Sequence, residues 1–108
     1  MSDKYVLDAD NNPVKVATIE EWARFFENDS NRRVGFTQIT SQVKVSTVFL
    51  GIDHRFGGDG PPVLFETMVF GGDDDESTWR YCTWDEAKAG HDRVVARLRE
   101  AQRQLAAR

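Results

Sequence analysis

This chain of 108 residues has only one cysteine, no long apolar run and no excess of basic charge. Its single cysteine, Cys82, cannot form a disulfide within the chain, which fits a reducing compartment. No run of apolar residues approaches the length that spans a bilayer, and no apolar signal region precedes the first strand-like segment. These absences lead us to expect a soluble, cytoplasmic protein with no membrane partner.

The charge balance is mildly acidic, with 18 Asp and Glu against 14 Lys and Arg and a formal net charge of −4. Generic binding to nucleic acid needs a basic face, so that class of partner is disfavoured. The chain does have a 40% hydrophobic content that includes seven Phe, three Trp and two Tyr. With no internal repeat and no linker, residues 1–108 are predicted to form one packed domain.

Apolar periodicity predicts the element order β–α–β–β–β–β–α, with a short return strand at residues 14–16. Strand-like segments cover residues 4–7, 34–39, 43–50, 63–70 and 78–82. Two capping boxes, residues 18–21 (TIEE) and 83–86 (TWDE), mark the helix starts. The sequence therefore predicts an α+β fold. An antiparallel β-sheet of about four to five strands has one short and one long C-terminal helix packed on one face.

The long C-terminal helix carries one apolar stripe whose members are three and four residues apart. We expect its first half to cover the sheet, and its Ala- and Arg-rich tail to overhang the sheet and supply a dimer seam. A homodimer is the oligomer that this pattern predicts. The stripe consists of Trp84, Ala87, His91, Val94, Leu98, Ala101 and Leu105.

Two polar residues occupy positions where apolar ones are expected. His91 lies on the helical stripe directly after Gly90, and a glycine inside a helix suggests that another part of the chain approaches closely. We favour a half-buried histidine with one hydrogen-bond partner over a ligand or a base. Glu66 lies in an apolar strand, and a hairpin with Phe70 opposite Thr78 makes it a diagonal neighbour of Arg80. A structural Glu66–Arg80 pair is favoured over a catalytic carboxylate.

Residues 51–62 form a connection that is longer than a hairpin needs, and such loops are often functional. Its glycines and the Pro61-Pro62 pair predict an ordered loop in which Phe56 plugs an apolar hollow. Asp53 and His54 are adjacent and so point to opposite sides, which weakens them as a dyad. His54 is the better site candidate of the two, because loops carry function more often than core positions do.

Other patterns are incomplete, and the sequence predicts neither a cofactor nor a bound metal. The calcium-loop-like segment 8–12 is followed by Pro13 where glycine is required. The glycines of residues 57–60 precede a strand instead of a helix, so no phosphate cradle forms. Cys82 and His91 lack an oxyanion hole and any sign of an activated thiolate.

Two segments carry a family resemblance, VSTVFLGIDHRFGGDGPPVLFETMVFGG at residues 45–72 and RYCTWDEAKAGH at residues 80–91. The start YVLDADNNPV and the helix segment EEWARFFE are similar too, so the resemblance covers most of residues 4–95. On these segments the chain resembles a family of small, uncharacterised proteins encoded by phages, prophages and bacteria. The resemblance implies a viral context, with the host cytoplasm as location, and no activity. It places four candidates in motif positions: Asp53, His54, Glu66 and His91.

Two functions of different classes stay open. The first is a non-enzymatic phage accessory protein that binds a host protein or ligand, one form of which is inhibition of a host defence system. The second is a small metal-dependent enzyme that uses His54, His91 and either Glu66 or Asp53, because two imidazoles and a carboxylate can hold a transition metal. The sequence favours the binding protein, since every catalytic motif is incomplete. The candidate binding residues are Asp53, His54, Phe56, Glu66, Arg80 and His91.

Overall fold

A computed structural model describes residues 3–55 and 57–107 of the chain. Those residues form an α+β fold of six strands and two α-helices, with a short 3₁₀ helix at Asp29–Arg32. The predicted fold class is confirmed. The elements are β1 (Lys4–Leu7), β2 (Pro13–Val16), α1 (Ile19–Phe26), β3 (Arg33–Gln38), β4 (Lys44–Phe49), β5 (Phe65–Phe70), β6 (Thr78–Tyr81) and α2 (Trp84–Ala106).

The strands form two separate antiparallel sheets. The main sheet has the order β3-β4-β5-β6, so each strand pairs with its neighbour in sequence. The hairpin β1-β2 is a sheet of its own, joined to the long loop by a hydrogen bond from the Tyr5 amide to the Gly51 carbonyl at 2.8 Å. Strand alternation gives the main sheet one face covered by α2 and one open face.

The core lies between the covered face and α2, in two adjoining clusters. Val45 and Val69 of the sheet pack against Val94, Val95 and Leu98 of the helix. The second cluster joins the fully buried rings of the central strands to Ala87, and the aromatic side chains of α1 reach it from the side. Burying a phenylalanine contributes about 1.5–3 kcal/mol. Its fully buried members are Phe49, Leu64, Phe65 and Ala87.

Capping explains where the two helices begin. At α2 both halves of the predicted capping box are present, with Glu86 N bonded to Thr83 Oγ1 and Thr83 N to Glu86 Oε1, each at 3.1 Å. At α1 only one half forms, because Glu21 Oε1 accepts from the Thr18 hydroxyl and not from its amide. Within residues 3–55 and 57–107, no helix has the length and apolarity to cross a bilayer.

The expected overhang of α2 is present. The helix has 23 residues, which is about 34 Å at a rise of 1.5 Å per residue. Its last buried side chain is Leu98, and residues 99–107 are all exposed. The molecule is correspondingly elongated, with a longest dimension of 55 Å.

The predicted pairing of β5 with β6 is wrong by two residues. Thr78 lies opposite Met68 instead of Phe70, and Arg80 lies directly opposite Glu66. The turn explains this shift, because Val69 bonds to two successive residues: its carbonyl accepts from Glu76 N at 2.8 Å and its amide donates to Ser77 O at 3.0 Å. Glu76 has a φ of 70°, so the chain reverses before Phe70 can pair with β6.

Candidate functional site

A line of hydrogen-bonded polar side chains crosses the covered face beneath α2; we call it the polar track. Each strand of the main sheet contributes one hydroxyl to it, and α2 contributes the His91 ring. His91 Nε2 lies 2.9 Å from Thr37 Oγ1 on β3, and Nδ1 lies 2.7 Å from Thr47 Oγ1 on β4. Thr47 Oγ1 lies 2.5 Å from Thr67 Oγ1 on β5, which accepts from the Tyr81 hydroxyl on β6 at 3.1 Å.

One assignment of hydrogen-bond directions gives every hydroxyl proton from Tyr81 to Thr47 an acceptor, and it bears on the tautomer of His91. The Tyr81 hydroxyl donates to Thr67, so the single Thr67 proton is left for Thr47 and the Thr47 proton for His91 Nδ1. Nδ1 is then an acceptor, and the ring proton sits on Nε2 and points at Thr37. A proton on Nδ1 would reverse two of the buried hydroxyls. The track therefore favours a neutral His91 with its proton on Nε2.

Burial favours the neutral form of His91, as the hydrogen bonds do. His91 is 6% exposed, and Thr47 and Thr67 are fully buried. Burial lowers the pKa of His91 below its ordinary value of 6.5; Asp92 opposes this shift weakly and Lys88 adds to it. The polar track is thus a set of mutually satisfied groups at the centre of the core. The histidine that the sequence predicts with one partner has two.

Two glycines make room for the track. A Cβ on Gly35 of β3 would lie 3.0 Å from the His91 ring, and a Cβ on Gly90 would lie 2.2 Å from the Tyr81 hydroxyl oxygen. Gly90 therefore admits the side chain of Tyr81, where the sequence suggested an approaching backbone. Close packing on both glycines holds the imidazole and the phenol at fixed positions.

In the long loop, Asp53 stabilises the chain conformation. Its Oδ1 accepts from Arg55 N at 2.9 Å and from Val63 N at 2.8 Å, and its Oδ2 lies 2.8 Å from Arg55 Nε. The Arg55 guanidinium also donates to the Gly60 carbonyl. Partial burial raises the pKa of Asp53, but the two amides and the Arg55 charge outweigh it and hold the pKa below 3.8. Asp53 and Arg55 thus join the described segments on both sides of residue 56.

The other loop candidates are less engaged. His54 is exposed, and its amide donates to the Val63 carbonyl at 2.9 Å. Phe56 lies outside the described residues. Burial, followed by the nearby Glu86 and Asp53 carboxylates, raises the pKa of the Cys82 thiol above 9.0. The thiol is therefore protonated at neutral pH and is a poor nucleophile.

The open face of the main sheet carries two exposed aromatic rings, each with a cation over it. Phe36 is 50% exposed and Phe70 is 40% exposed. Arg33 lies over the Phe36 ring at 5.9 Å and Lys44 over the Phe70 ring at 5.7 Å. The register places the following side chains on this face: Arg33, Phe36, Gln38, Lys44, Ser46, Val48, Glu66, Met68, Phe70, Thr78 and Arg80.

Glu66 and Arg80 form the structural pair that the sequence favours, in the direct register and not the diagonal one. Arg80 Nε donates to Glu66 Oε2 at 3.0 Å, with 15% of the glutamate side chain exposed. Three cations against this one carboxylate give the open face a formal charge of +2, in a chain of net charge −4. The open face is therefore a local basic surface on an acidic protein.

The candidate residues do not converge. Glu66 faces the open side of β5, whereas its neighbour Thr67 faces His91, so Glu66 and His91 lie on opposite faces of the sheet. Both His91 nitrogens bond to threonine hydroxyls. Across residues 3–55 and 57–107, no three His, Cys, Asp or Glu side chains are grouped to hold a metal ion. The geometry gives the metal-enzyme hypothesis no support.

The sequence did contain a signal for the polar track. Thr47 and Thr67 occupy inward positions in strands whose other inward residues are apolar, and this pattern marks hydroxyls that need partners in the core. Tyr81 and Thr37 give no such signal on their own, because both lie in edge strands. Only the sheet order shows that all four hydroxyls fall on one line with His91.

The fold and these sites define an α+β protein whose main sheet has one packed face and one open face. The chain matches no protein-family model, no curated protein and no solved structure with which it was compared. What the protein does must therefore follow from its own residues.

Proposed function

We propose that this chain is a non-enzymatic interaction protein that binds a partner protein through the open face of its main sheet. The observation that carries the proposal is the pair of exposed rings, Phe36 and Phe70, on the face of the main sheet that is turned away from α2. A sheet normally covers its apolar face with another layer. Exposed aromatic side chains ringed by polar ones are typical of protein-binding surfaces.

The charges on this face select the kind of partner. Arg33, Lys44 and Arg80 surround the rings, so a partner surface that combines acidic and apolar side chains is complementary. At one corner, the buried Arg32 Nε has no hydrogen-bond partner among the described residues, beside a shallow hollow that Arg33 and Val48 help to line. Asp29 lines the same hollow beside Arg32 and Arg33, so cations outnumber carboxylates there and this corner also favours an acidic partner.

A protein partner is favoured over single-stranded nucleic acid on the same face. Nucleic-acid platforms need free ring faces on which bases stack. Here a cation already lies over each ring, Arg33 over Phe36 and Lys44 over Phe70. The acidic net charge of −4 also repels a polyanion. A flat sheet surface, moreover, suits a macromolecule better than a small ligand, which prefers a concave site.

The family resemblance supplies the biological setting of this proposal. A small phage-encoded protein meets the proteins of its bacterial host, so we propose a host protein as the partner, in the host cytoplasm. Interference with a host defence system is one purpose such binding serves. We also propose that the acting unit is a homodimer, as the overhanging tail of α2 suggests.

The experiment compares capture of proteins from bacterial lysate by the tagged wild type, Phe36→Ala and Ile19→Ala. Ile19 on α1 is 59% exposed and is the matched control, because its truncation also removes an exposed apolar side chain. A stoichiometric protein retained by wild type and Ile19→Ala, and lost by Phe36→Ala, supports the proposal. Equal retention by all three contradicts it, and a captured single-stranded nucleic acid would replace the protein partner.

A further inference from the structure

The C-terminal arm, residues 99–107, consists of the end of α2 and its C-cap Ala107, and it extends beyond the sheet without burying any side chain. Leu105 on this arm is 57% exposed. One exposed leucine is ordinary by itself. Leu105, however, continues the stripe of Leu98 at a spacing of seven residues, so the two side chains lie on one face of the helix, about two turns apart.

A groove with an apolar floor and an acidic rim lies beside this stripe. Its floor is formed by Ile39 and Val43, at the β3–β4 turn, and by Leu98. Asp73 and Asp74 of the β5–β6 turn form the rim, and neither takes part in an ion pair among residues 3–55 and 57–107. Ala101, Gln102 and Leu105 of the arm line the groove as well.

The charge of the arm is opposite to the charge of the rim. Residues 99–107 contain Arg99, Arg103 and Glu100, a formal charge of +1. Arg99 has no ion-pair partner within the described part of the chain, and Arg103 pairs with Glu100 of its own helix. The turn that carries the rim runs Asp73, Asp74, Asp75, Glu76 without a cation. Each copy of the chain therefore presents a helix end of charge +1 with one exposed leucine, and a groove that carries acidic and apolar side chains.

We infer that the C-terminal arms of two copies pack antiparallel about a two-fold axis, with Leu105 of each copy seated in the groove of the other. In such an antiparallel pair, two residues face each other when they are equally far from the two-fold axis in sequence. An axis between Ala101 and Gln102 therefore places Leu105 of one copy against Leu98 of the other. The same arrangement carries each basic arm back toward the acidic turn of the opposite copy.

A second copy is the occupant that the chemistry selects. An isologous contact needs one surface that is complementary to itself. The arm and the groove meet this condition, because their charges are opposite and both carry apolar side chains. The seven-residue spacing of Leu98 and Leu105 is also the repeat with which helices pair. This inference rests on the proposed homodimer but not on binding at the open face, which lies on the other side of the sheet.

The first test measures molar mass by sedimentation equilibrium, from low to high micromolar concentration. The wild type should reach twice the chain mass, and Leu105→Glu should weaken the dimer by roughly tenfold or more, because a carboxylate would enter an acidic groove. The matched control is Ala96→Glu, the same charge change at an exposed position of α2 that is turned away from Leu98. The control should dimerise like the wild type.

Each outcome separates the arm contact from the other proposals. A monomeric wild type overturns both the homodimer and this contact. A dimer that Leu105→Glu leaves intact keeps the homodimer and overturns the contact. Phe36→Ala should leave the mass unchanged; a loss of the dimer in that variant would place the second copy on the open face instead.

A second measurement tests the antiparallel register. Near the two-fold axis, Gln102→Cys in a Cys82→Ser background should form a disulfide between the two copies under mild oxidation, because cysteine Cα atoms must lie within about 7 Å to bond. Ala96→Cys in the same background is the control and should not crosslink. Crosslinking of both variants to the same extent, or of neither, overturns the proposed packing.

Discussion

The two faces of the main sheet are made from the same strands and do opposite things with polar side chains. On the covered face, His91 and the strand hydroxyls are removed from water and satisfy one another. On the open face, Arg33, Lys44 and Arg80 remain in contact with solvent around exposed rings. On the covered face the polar groups therefore bond to one another, and on the open face they point into solvent.

This difference shows where stability and function reside. An unpaired buried polar group costs about 1–3 kcal/mol, so every member of the polar track depends on the others. Exposed charged pairs contribute about 0–1 kcal/mol. Substitutions on the covered face should therefore change folding, whereas substitutions on the open face should change binding and leave folding nearly unaffected.

The largest expected effect follows from removing the imidazole at the centre of the track. His91→Ala should reduce the free energy of unfolding by about 3 kcal/mol, because it leaves a cavity and deprives Thr37 and Thr47 of their partner. Urea denaturation measures this. His54→Ala is the matched control and should change stability by less than about 0.5 kcal/mol, since His54 is exposed. Equal effects of the two substitutions would show that the track does not stabilise the core.

The next effect tests the contact between Gly90 and Tyr81. Helix propensity alone predicts that Gly90→Ala stabilises α2 by about 1 kcal/mol. The structure predicts the reverse, a loss of about 1–3 kcal/mol, because the new Cβ would overlap the Tyr81 ring. Thermal unfolding distinguishes the two signs. A raised melting temperature would mean that Tyr81 does not pack on Gly90.

A smaller effect concerns pH. Burial holds the pKa of His91 below 6.5, so the unfolded chain binds a proton at a higher pH than the folded chain does. The stability from neutral His91 is fully present above pH 6.5 and is lost as the pH falls through the lower folded pKa. Unfolding free energies measured downward from pH 7 should decline first in this window. The decline should be weaker in His91→Gln, and an identical profile would assign it to other groups.

The smallest effect on folding is expected on the open face. Phe36→Ala should change the free energy of unfolding by only about 0.5 kcal/mol, because half of this side chain is exposed and the cation over its ring, Arg33, is at the surface. Urea denaturation measures it beside His91→Ala. A loss of stability as large as that of His91→Ala would mean that Phe36 belongs to the hydrophobic core and is not available to a partner.

Local sequence signals were enough to predict much of the fold. The two TxxE segments marked both helix starts, and alternation assigned the faces of β5 correctly around Glu66. The overhang of α2 followed from the Ala- and Arg-rich composition of its tail. These features depend on neighbours in sequence, which is why patterning reveals them.

Long-range geometry accounts for the rest. The β5–β6 register depended on Glu76 adopting a positive φ, which no turn signal at that position indicated. His91 received two hydroxyl partners from β3 and β4, more than forty positions away in sequence. The loop candidate Asp53 proved to bind amides of its own loop. Sequence reasoning ranks polar residues as unusual, but it does not show whether their partners are ligands or other parts of the same chain.

The double variant Phe36→Ala/Phe70→Ala tests the division between the two faces most directly, with stability and partner capture measured on one preparation. We expect the free energy of unfolding of the double variant to lie within about 1 kcal/mol of the wild-type value. We also expect the variant to lose the protein that the wild type retains from lysate. Full retention of that protein by a folded double variant, or a collapse of stability like that of His91→Ala, would contradict the division between the two faces.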